Sequence, residues 1–508
     1  MKKLNLDKKN IVTYVFILFF LLCLVLPVAF MNFKPDQISE MENKKLADWP
    51  EYVVLSDYLE GIQNYFEDRI GGRETAIGLY TEANNDIFGV MVHPLFMWGE
   101  DGHIFYKDEN YIAAYQRLNT DEEYLDSMID FLSKTNDYLA SKDIEFLYFV
   151  CPDKKTIYSE FFPKTVNVNL ENKPVLDYLD EKMADTNVKY INPRDNLLAA
   201  KAAGSVVYNK MYDATHWNDL GGMIGESLID EYVQEKFDDV PPLDSNNFDV
   251  SYVKMESLDN AKFTIDEDVP LYTLRDDYTA DYTELLKPSM LCNSDTFYTH
   301  HINTTAPNGK ILLVFTDSYL QAHQKFYDNR FREVYFVHRQ NYDYLQYFVN
   351  LVFPDMVIFE TAERSISSEM PINSDFADYY YEPSYKGDYS FVTDDTLSYV
   401  VTDTAGGRVE GNKIYLDPND TTSIFRVDAL LTGGKDGHKY DVYVATSDET
   451  MEADYCKLHR ESVEEGLDQF SFSIQRRYMA QSFINLFAYD EASNETILLE
   501  TFEVVYDE

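Results

Sequence analysis

Two short segments of the chain hold residue types that together can carry out acyl transfer. The first reads Tyr212-Asp213-Ala214-Thr215-His216-Trp217-Asn218-Asp219. An aspartate three residues before a histidine can turn back onto the imidazole, fix its tautomer and stabilise the imidazolium, which leaves the other ring nitrogen as a base. The second reads Phe315-Thr316-Asp317-Ser318 and ends the apolar run ILLVF at 311–315. A serine hydroxyl is a weak nucleophile until a base takes its proton, and His216 is that base if folding joins the two segments. Backbone N–H groups at a helix start after Ser318 would form part of an oxyanion hole. Each segment also has a plainer reading. Asp317-Ser318 can be a helix N-cap, and Asp213 with His216 a surface loop pair. A metal site on Asp213 and His216 would need a second His/Asp cluster, and none is evident in the sequence. Adjacent histidines rarely face one ion, so His300-His301 reads as loop sequence.

Groups of this kind need a rigid frame. The run IEFLYFV at 144–150 is continuously apolar, bounded by Lys142-Asp143 and Pro152, and reads as a strand buried on both faces. Further strands are expected at 188–191, 311–315, 334–337 and 356–359. Apolar residues at helical spacing predict helices over 58–70, 175–183, 223–233 and 342–352, and from Ser318 to about 331. Thr120 and Glu123 form a capping-box pattern ahead of another helix with Leu125, Met128, Ile129 and Leu132. The alternation predicts an α/β domain with a mainly parallel sheet. In such sheets catalytic groups gather beyond the carboxyl ends of the strands, which suits both segments. Residues 241–308 are less regular and read as an insertion or small sheet. From about 387, short alternating runs separated by Gly, Asp and Asn turns predict a small β-sandwich.

Composition narrows the function. The formal charge of −46 repels nucleic-acid phosphates. The four cysteines, Cys23, Cys151, Cys292 and Cys456, show neither a close pair nor metal-ligand spacing, so no disulfide framework or zinc site is expected. Residues 11–31 are free of charge and long enough to cross a bilayer. Lys2, Lys3, Lys8 and Lys9 precede them, and Asp36, Glu40 and Glu42 follow. The positive-inside rule then leaves the N-terminus in the cytoplasm and the bulk of the chain outside it. A cleaved signal peptide is the alternative. The apolar run exceeds a usual signal core and Val28-Ala29-Phe30 is a poor cleavage site, which favours an uncleaved anchor.

A set of motifs in order along the chain adds to this. Glu42-Asn43-Lys44-Lys45-Leu46-Ala47, Phe66-Glu67-Asp68-Arg69 with Gly72-Arg73, Gly99-Glu100-Asp101-Gly102-His103-Ile104-Phe105-Tyr106 and Pro152-Asp153-Lys154-Lys155-Thr156-Ile157-Tyr158 come first. Thr215-His216-Trp217, Thr316-Asp317-Ser318-Tyr319, and Pro354-Asp355 with Glu363-Arg364 follow. Over about 32–367 the chain thereby resembles the SGNH-hydrolase-like alginate O-acetyltransferase family (AlgX/AlgJ), related to surface proteins with a DHHW-type motif. It departs from the family pattern at Ala214, where the family carries the aspartate, and at Thr316, where the family carries glycine.

The resemblance implies an SGNH-hydrolase-like acyltransferase domain at 33–385, to which the apolar run adds a cytoplasmic tip and anchor at 1–32 and the turn pattern, outside the resemblance, a β-sandwich at 386–508 expected to serve carbohydrate binding or docking. It implies a single-pass, membrane-anchored extracytoplasmic O-acetyltransferase acting on cell-surface polysaccharide. Ser318 is the nucleophile, His216 the base and Asp213 the orienter, with an acyl-serine intermediate and no cofactor. A membrane-bound O-acyltransferase is the expected acyl donor. The same three residues would serve a carbohydrate esterase. A non-catalytic glycan-binding or assembly protein is the third reading.

Overall fold

A computed structural model describes residues 8–34, 38–39, 44–50, 52, 55–89, 91–93, 95–258, 264–286, 297–366, 381, 385–386, 390–416, 424–446, 452–455, 467–475 and 483–506. Cys292, Cys456, the acids at 36, 40 and 42, and the expected change of character at 387 lie outside them. The chain is mixed α/β and begins with an apolar helix, α1 (Lys8–Ala29). Its span Ile11–Ala29 is long and apolar enough to cross a membrane, and none of it is buried against the protein. Helices α2 (Leu55–Arg69) and α3 (Arg73–Ala83) follow.

The central sheet has seven strands: β1 (Glu145–Cys151), β2 (Lys189–Ile191), β3 (Thr279–Asp281), β4 (Tyr298–Asn303), β5 (Ile311–Thr316), β6 (Glu333–His338) and β7 (Met356–Ala362). Their order is β2-β1-β7-β5-β6-β4-β3. The pairings from β2 through to β6 are parallel. β4 and β3 join antiparallel at one edge. Alternate residues feed two cores. Phe146, Tyr148, Leu313, Phe315, Val357 and Phe359 pack under α4 (Glu122–Ala140) and α6 (Leu345–Val352). Leu147, Phe149, Leu312, Val314 and Ile358 pack on the other face with α5 (Asp219–Lys236). Each such side chain contributes roughly 1.5–3 kcal/mol on burial, so the middle strands are the most firmly held part of the frame.

Several local expectations are corrected. Helix α4 is capped by Asp121, whose carboxylate accepts from Tyr124 N–H (3.1 Å), while Thr120 donates its hydroxyl to the Lys173 carbonyl (2.8 Å). His300 and His301 lie on strand β4, not in a loop. His300 is buried, pairs with Glu333 at 3.0 Å and stacks on Tyr335. Of the two readings for 241–308, the described residues form sheet: β3 and β4 extend the central sheet, and 248–257 with 264–274 form a separate hairpin. The helix expected from Ser318 to 331 stops after Gln321. There the His323 ring takes the Tyr319 carbonyl (2.7 Å), the acceptor that continued α-helix would need for the His323 amide.

Beyond the central sheet, Leu397–Ala405, Ile424–Gly433 and Leu467–Gln475 form an antiparallel three-stranded sheet. It shares a core with a larger sheet through Phe425, Val427, Val442, Leu486 and Phe502. The opposite face of the three-stranded sheet meets α6, where Ser473 donates to the carbonyls of Leu351 and Asn350.

Candidate active site

Strands β1, β7 and β5 lie side by side and parallel, so their carboxyl ends release Asp153, Arg364 and Ser318 at one edge of the sheet. The turn after β5 is tightly held. Thr316 donates its hydroxyl to buried Glu360 (2.6 Å), which also accepts the Asp317 amide (2.9 Å). Thr316 therefore points into the sheet and leaves the approach to Ser318 clear. Asp317 accepts from Tyr319 N–H (2.9 Å) and Ala362 N–H (3.2 Å), fixing the turn from both sides. Ser318 is exposed at the first position of a one-turn helix.

The loop carrying His216 precedes α5, whose N-cap is Asn218. Asp213 takes a left-handed backbone conformation (φ 57°), which aspartate tolerates better than most residues. Its carboxylate then folds back and accepts the amides of Thr215 (3.1 Å) and His216 (3.0 Å). The same carboxylate accepts from His216 Nδ1 at 2.9 Å. With that proton on Nδ1, the Nε2 lone pair faces Ser318 Oγ, 2.8 Å away. The three-residue spacing thus reaches the ring because of the turn at Asp213, and Ala214 is buried in a small apolar cluster instead. Burial would raise the Asp213 carboxyl, but His216 and the two amides outweigh it and hold it well below the usual carboxylate range.

Residues that the motifs did not single out as functional complete the setting. Tyr319 is buried, sits edge-on to the His216 ring (centroids 4.7 Å apart) and reaches the Thr215 carbonyl at 2.8 Å. It ties the serine turn to the histidine loop. Arg364 bonds buried Asp153 and brings Nη2 to 3.5 Å from His216 Nε2, so a fixed cation borders the reacting atoms. Burial would raise Asp153, yet Lys155 and Arg364 keep it low. Asp153 and Arg364 were visible as charged residues just past buried strands. Glu267, on the 264–274 strand of the hairpin, gave no such signal. Its carboxylate accepts three successive amides, Lys210 (2.5 Å), Met211 (2.7 Å) and Tyr212 (2.7 Å), directly before Asp213. On the other side, Lys154 Nζ donates to the Ile104 (2.7 Å) and Lys210 (2.9 Å) carbonyls. Burial lowers Lys154 to about 7, against the opposing pull of Glu267 and Asp213.

Ser318 opens on a cleft of about 450 Å³ bordered by Tyr106, Asp108, Asn110, Gln321, Arg339 and Arg364. Among the described residues no cluster of three or more His, Cys, Asp or Glu is placed to hold a metal ion.

No family model matches the chain, and no curated protein matches it in sequence. Among solved structures, Bacillus cereus PatB1 is similar at 15% identity over 55% of this chain and 99% of that one, with a TM-score of 0.41. The O-acetyltransferase domain of Pseudomonas putida AlgJ is similar at 15% identity over 55% and 94%, with a TM-score of 0.36. The carbohydrate binding module of the muscle glycogen-targeting subunit of protein phosphatase-1 covers 25% of this chain and 99% of itself, at 13% identity and a TM-score of 0.13. Identities and scores this low leave the chemistry to be argued from the chain's own residues.

Proposed function

We propose that the chain is an O-acetyltransferase that modifies cell-surface polysaccharide through an acyl-Ser318 intermediate. The observation that carries this reading is the continuous relay from Ser318 Oγ to His216 Nε2 (2.8 Å) and from His216 Nδ1 to Asp213 (2.9 Å), with Ser318 bordering an open cleft. His216 Nε2 takes the Ser318 proton as Oγ attacks the acyl carbonyl carbon. The tetrahedral oxyanion is stabilised by the Arg364 guanidinium, and collapse expels the donor's leaving group with the proton from His216. A sugar hydroxyl then gives its proton to His216 and attacks the acyl-serine. Collapse releases the sugar ester and restores Ser318. The expected setting is the outer face of a bacterial membrane with α1 as a single-pass anchor, and a membrane-bound O-acyltransferase as acyl donor.

The exposure of Ser318 favours one second reading, hydrolysis, because water reaches the same acyl-serine. The test supplies the chain with an activated aryl acetate, with and without an oligosaccharide acceptor, and follows acetylated sugar and free acetate. Transfer predicts sugar ester that disappears in Ser318→Ala. Free acetate alone, undiminished by acceptor, selects the esterase. Sugar acetylation that persists in Ser318→Ala overturns both.

A further inference from the structure

The apolar helix α1 is clamped to the two helices that follow it. Gly71 N–H donates to the Pro27 carbonyl in the last turns of α1 (2.9 Å), and Asn32 N–H donates to the Arg69 carbonyl (2.9 Å). The buried Arg69 guanidinium gathers the carbonyls of Ala47 (2.9 Å), Asn32 (3.1 Å) and Lys34 (2.7 Å). Gly71 sits so close to Phe30 that a Cβ there would lie 2.5 Å from the Phe30 carbonyl oxygen. The end of α2 and the start of α3 are therefore fixed at the exit of α1.

Around this exit the apolar side chains face outward. Leu55, Leu59 and Phe66 form one exposed stripe on α2, with half-buried Ile62 between them and Ile70 beyond. Leu79 (63% exposed) and Tyr80 form a second on α3, continued by Ile87 (70%). Trp49 (55%) packs edge-on against Tyr65 and Phe66 and remains largely open. A surface helix in water turns such a stripe inward, and contiguous apolar surface of this kind marks an interaction site.

We propose that this collar, Trp49 and residues 55–88 together with Phe33, seats in the headgroup layer of the bilayer that α1 crosses, with lipid as its occupant. The inference rests on α1 spanning that bilayer. Continuity with α1 decides the occupant: the clamp holds Trp49, Phe66 and Ile70 at the level where the chain leaves the hydrocarbon. Tryptophan and tyrosine with apolar neighbours suit that level, since their rings are apolar and their tips polar. The acids Glu60, Glu67 and Glu82 on the same helices give no attraction to anionic headgroups, so seating comes from apolar insertion and is insensitive to salt. The collar also connects to the cleft. Trp98 Nε1 donates to Asn85 Oδ1 (3.0 Å), and Trp98 belongs to the hairpin whose other strand ends at Tyr106 on the cleft wall. A seated collar thus holds the Ser318 cleft close to the membrane surface.

The test uses the full chain, one copy per nanodisc, in phosphatidylcholine with plain or brominated acyl chains. The chain has three tryptophans, Trp49, Trp98 and Trp217, so the emission that Trp49→Phe lacks reports Trp49. Brominated lipid is expected to quench most of that component, at low and high salt alike, and a Leu79→Trp tryptophan added to the Trp49→Phe chain is expected to be quenched as well. Emission from both positions that is red-shifted and unquenched overturns the proposal, as does failure of the chain to enter discs. The same result in discs loaded with two copies, with the two chains cross-linking as a pair, assigns the face to a second copy. Because the readout is fluorescence, it is independent of Ser318 chemistry and gives the same result in Ser318→Ala.

Discussion

Helices α4 and α2 carry the same kind of apolar spacing and meet opposite fates. In α4, Leu125, Met128, Leu132 and Leu139 are fully buried against the central sheet. In α2, Leu55, Leu59 and Phe66 face outward. Periodicity makes each a helix, but what lies beside it decides whether the stripe is covered. The regions around them differ in the same way. At the sheet edge, Asp213, Asp153 and Glu267 each hold two or more donors, so the site's geometry is built in before any substrate arrives. The collar relies on its surroundings for cover. One region is organised by the protein, and the other by what the protein sits in.

The contrast can be broken or sharpened by substitution. The largest effect is expected from Ser318→Ala, which should lower turnover by about 10⁶-fold with the fold unchanged by circular dichroism. Asp213→Asn keeps the loop but favours the wrong His216 tautomer, and should cost about 10⁴-fold in kcat, read from acetyl-transfer rates. Leu132→Ala in α4 should destabilise by about 2–5 kcal/mol in denaturant unfolding, whereas Leu59→Ala in α2 should stay within about 0.5 kcal/mol in detergent. Equal costs would erase the distinction between the two helices. Glu267→Ala removes the acceptor of three amides without touching a reacting atom, and should lower kcat by about 10²-fold through misplacement of Asp213. Glu267→Gln, which keeps one carbonyl oxygen, should recover part of that loss.

A separate expectation is a pH dependence of stability at Lys154. Its folded-state pKa of about 7 lies below its unfolded value. Between the two, the unfolded chain binds a proton that the native chain does not, so stability rises with pH. The stability of the native chain relative to Lys154→Met should therefore improve by about 1 kcal/mol per pH unit from about pH 7 to pH 10. Below about pH 7 it should stay flat. A flat difference throughout would mean that Lys154 stays charged when buried.

Much of the frame was legible because buried strands leave continuous apolar runs. The runs at 144–150, 311–315 and 356–359 correspond to β1, β5 and β7, and Ser318 and Arg364, just past β5 and β7, border the cleft. Ser318, His216 and Asp213, singled out in the sequence by residue type, lie together in the fold at 2.8 and 2.9 Å. The strand Tyr298–Asn303 was not legible, since His300 and His301 make it polar and pair with Glu333 and Asp328 in the fold. Nor was Glu267, which acts on backbone amides 55–57 residues away and so leaves no side-chain motif. Asp121 was hidden by the better-looking cap at Thr120, whose hydroxyl a distant carbonyl claims. In each case a tertiary contact outweighed the local pattern.

The most direct measurement is peptide mapping after brief exposure of the full chain to an activated aryl acetate and acid quenching. An acetyl ester on Ser318 in the wild type, absent from Ser318→Ala and strongly reduced in His216→Ala, is the predicted result. A folded wild-type chain that carries no acetyl at Ser318, or carries it only at another residue, would contradict the account.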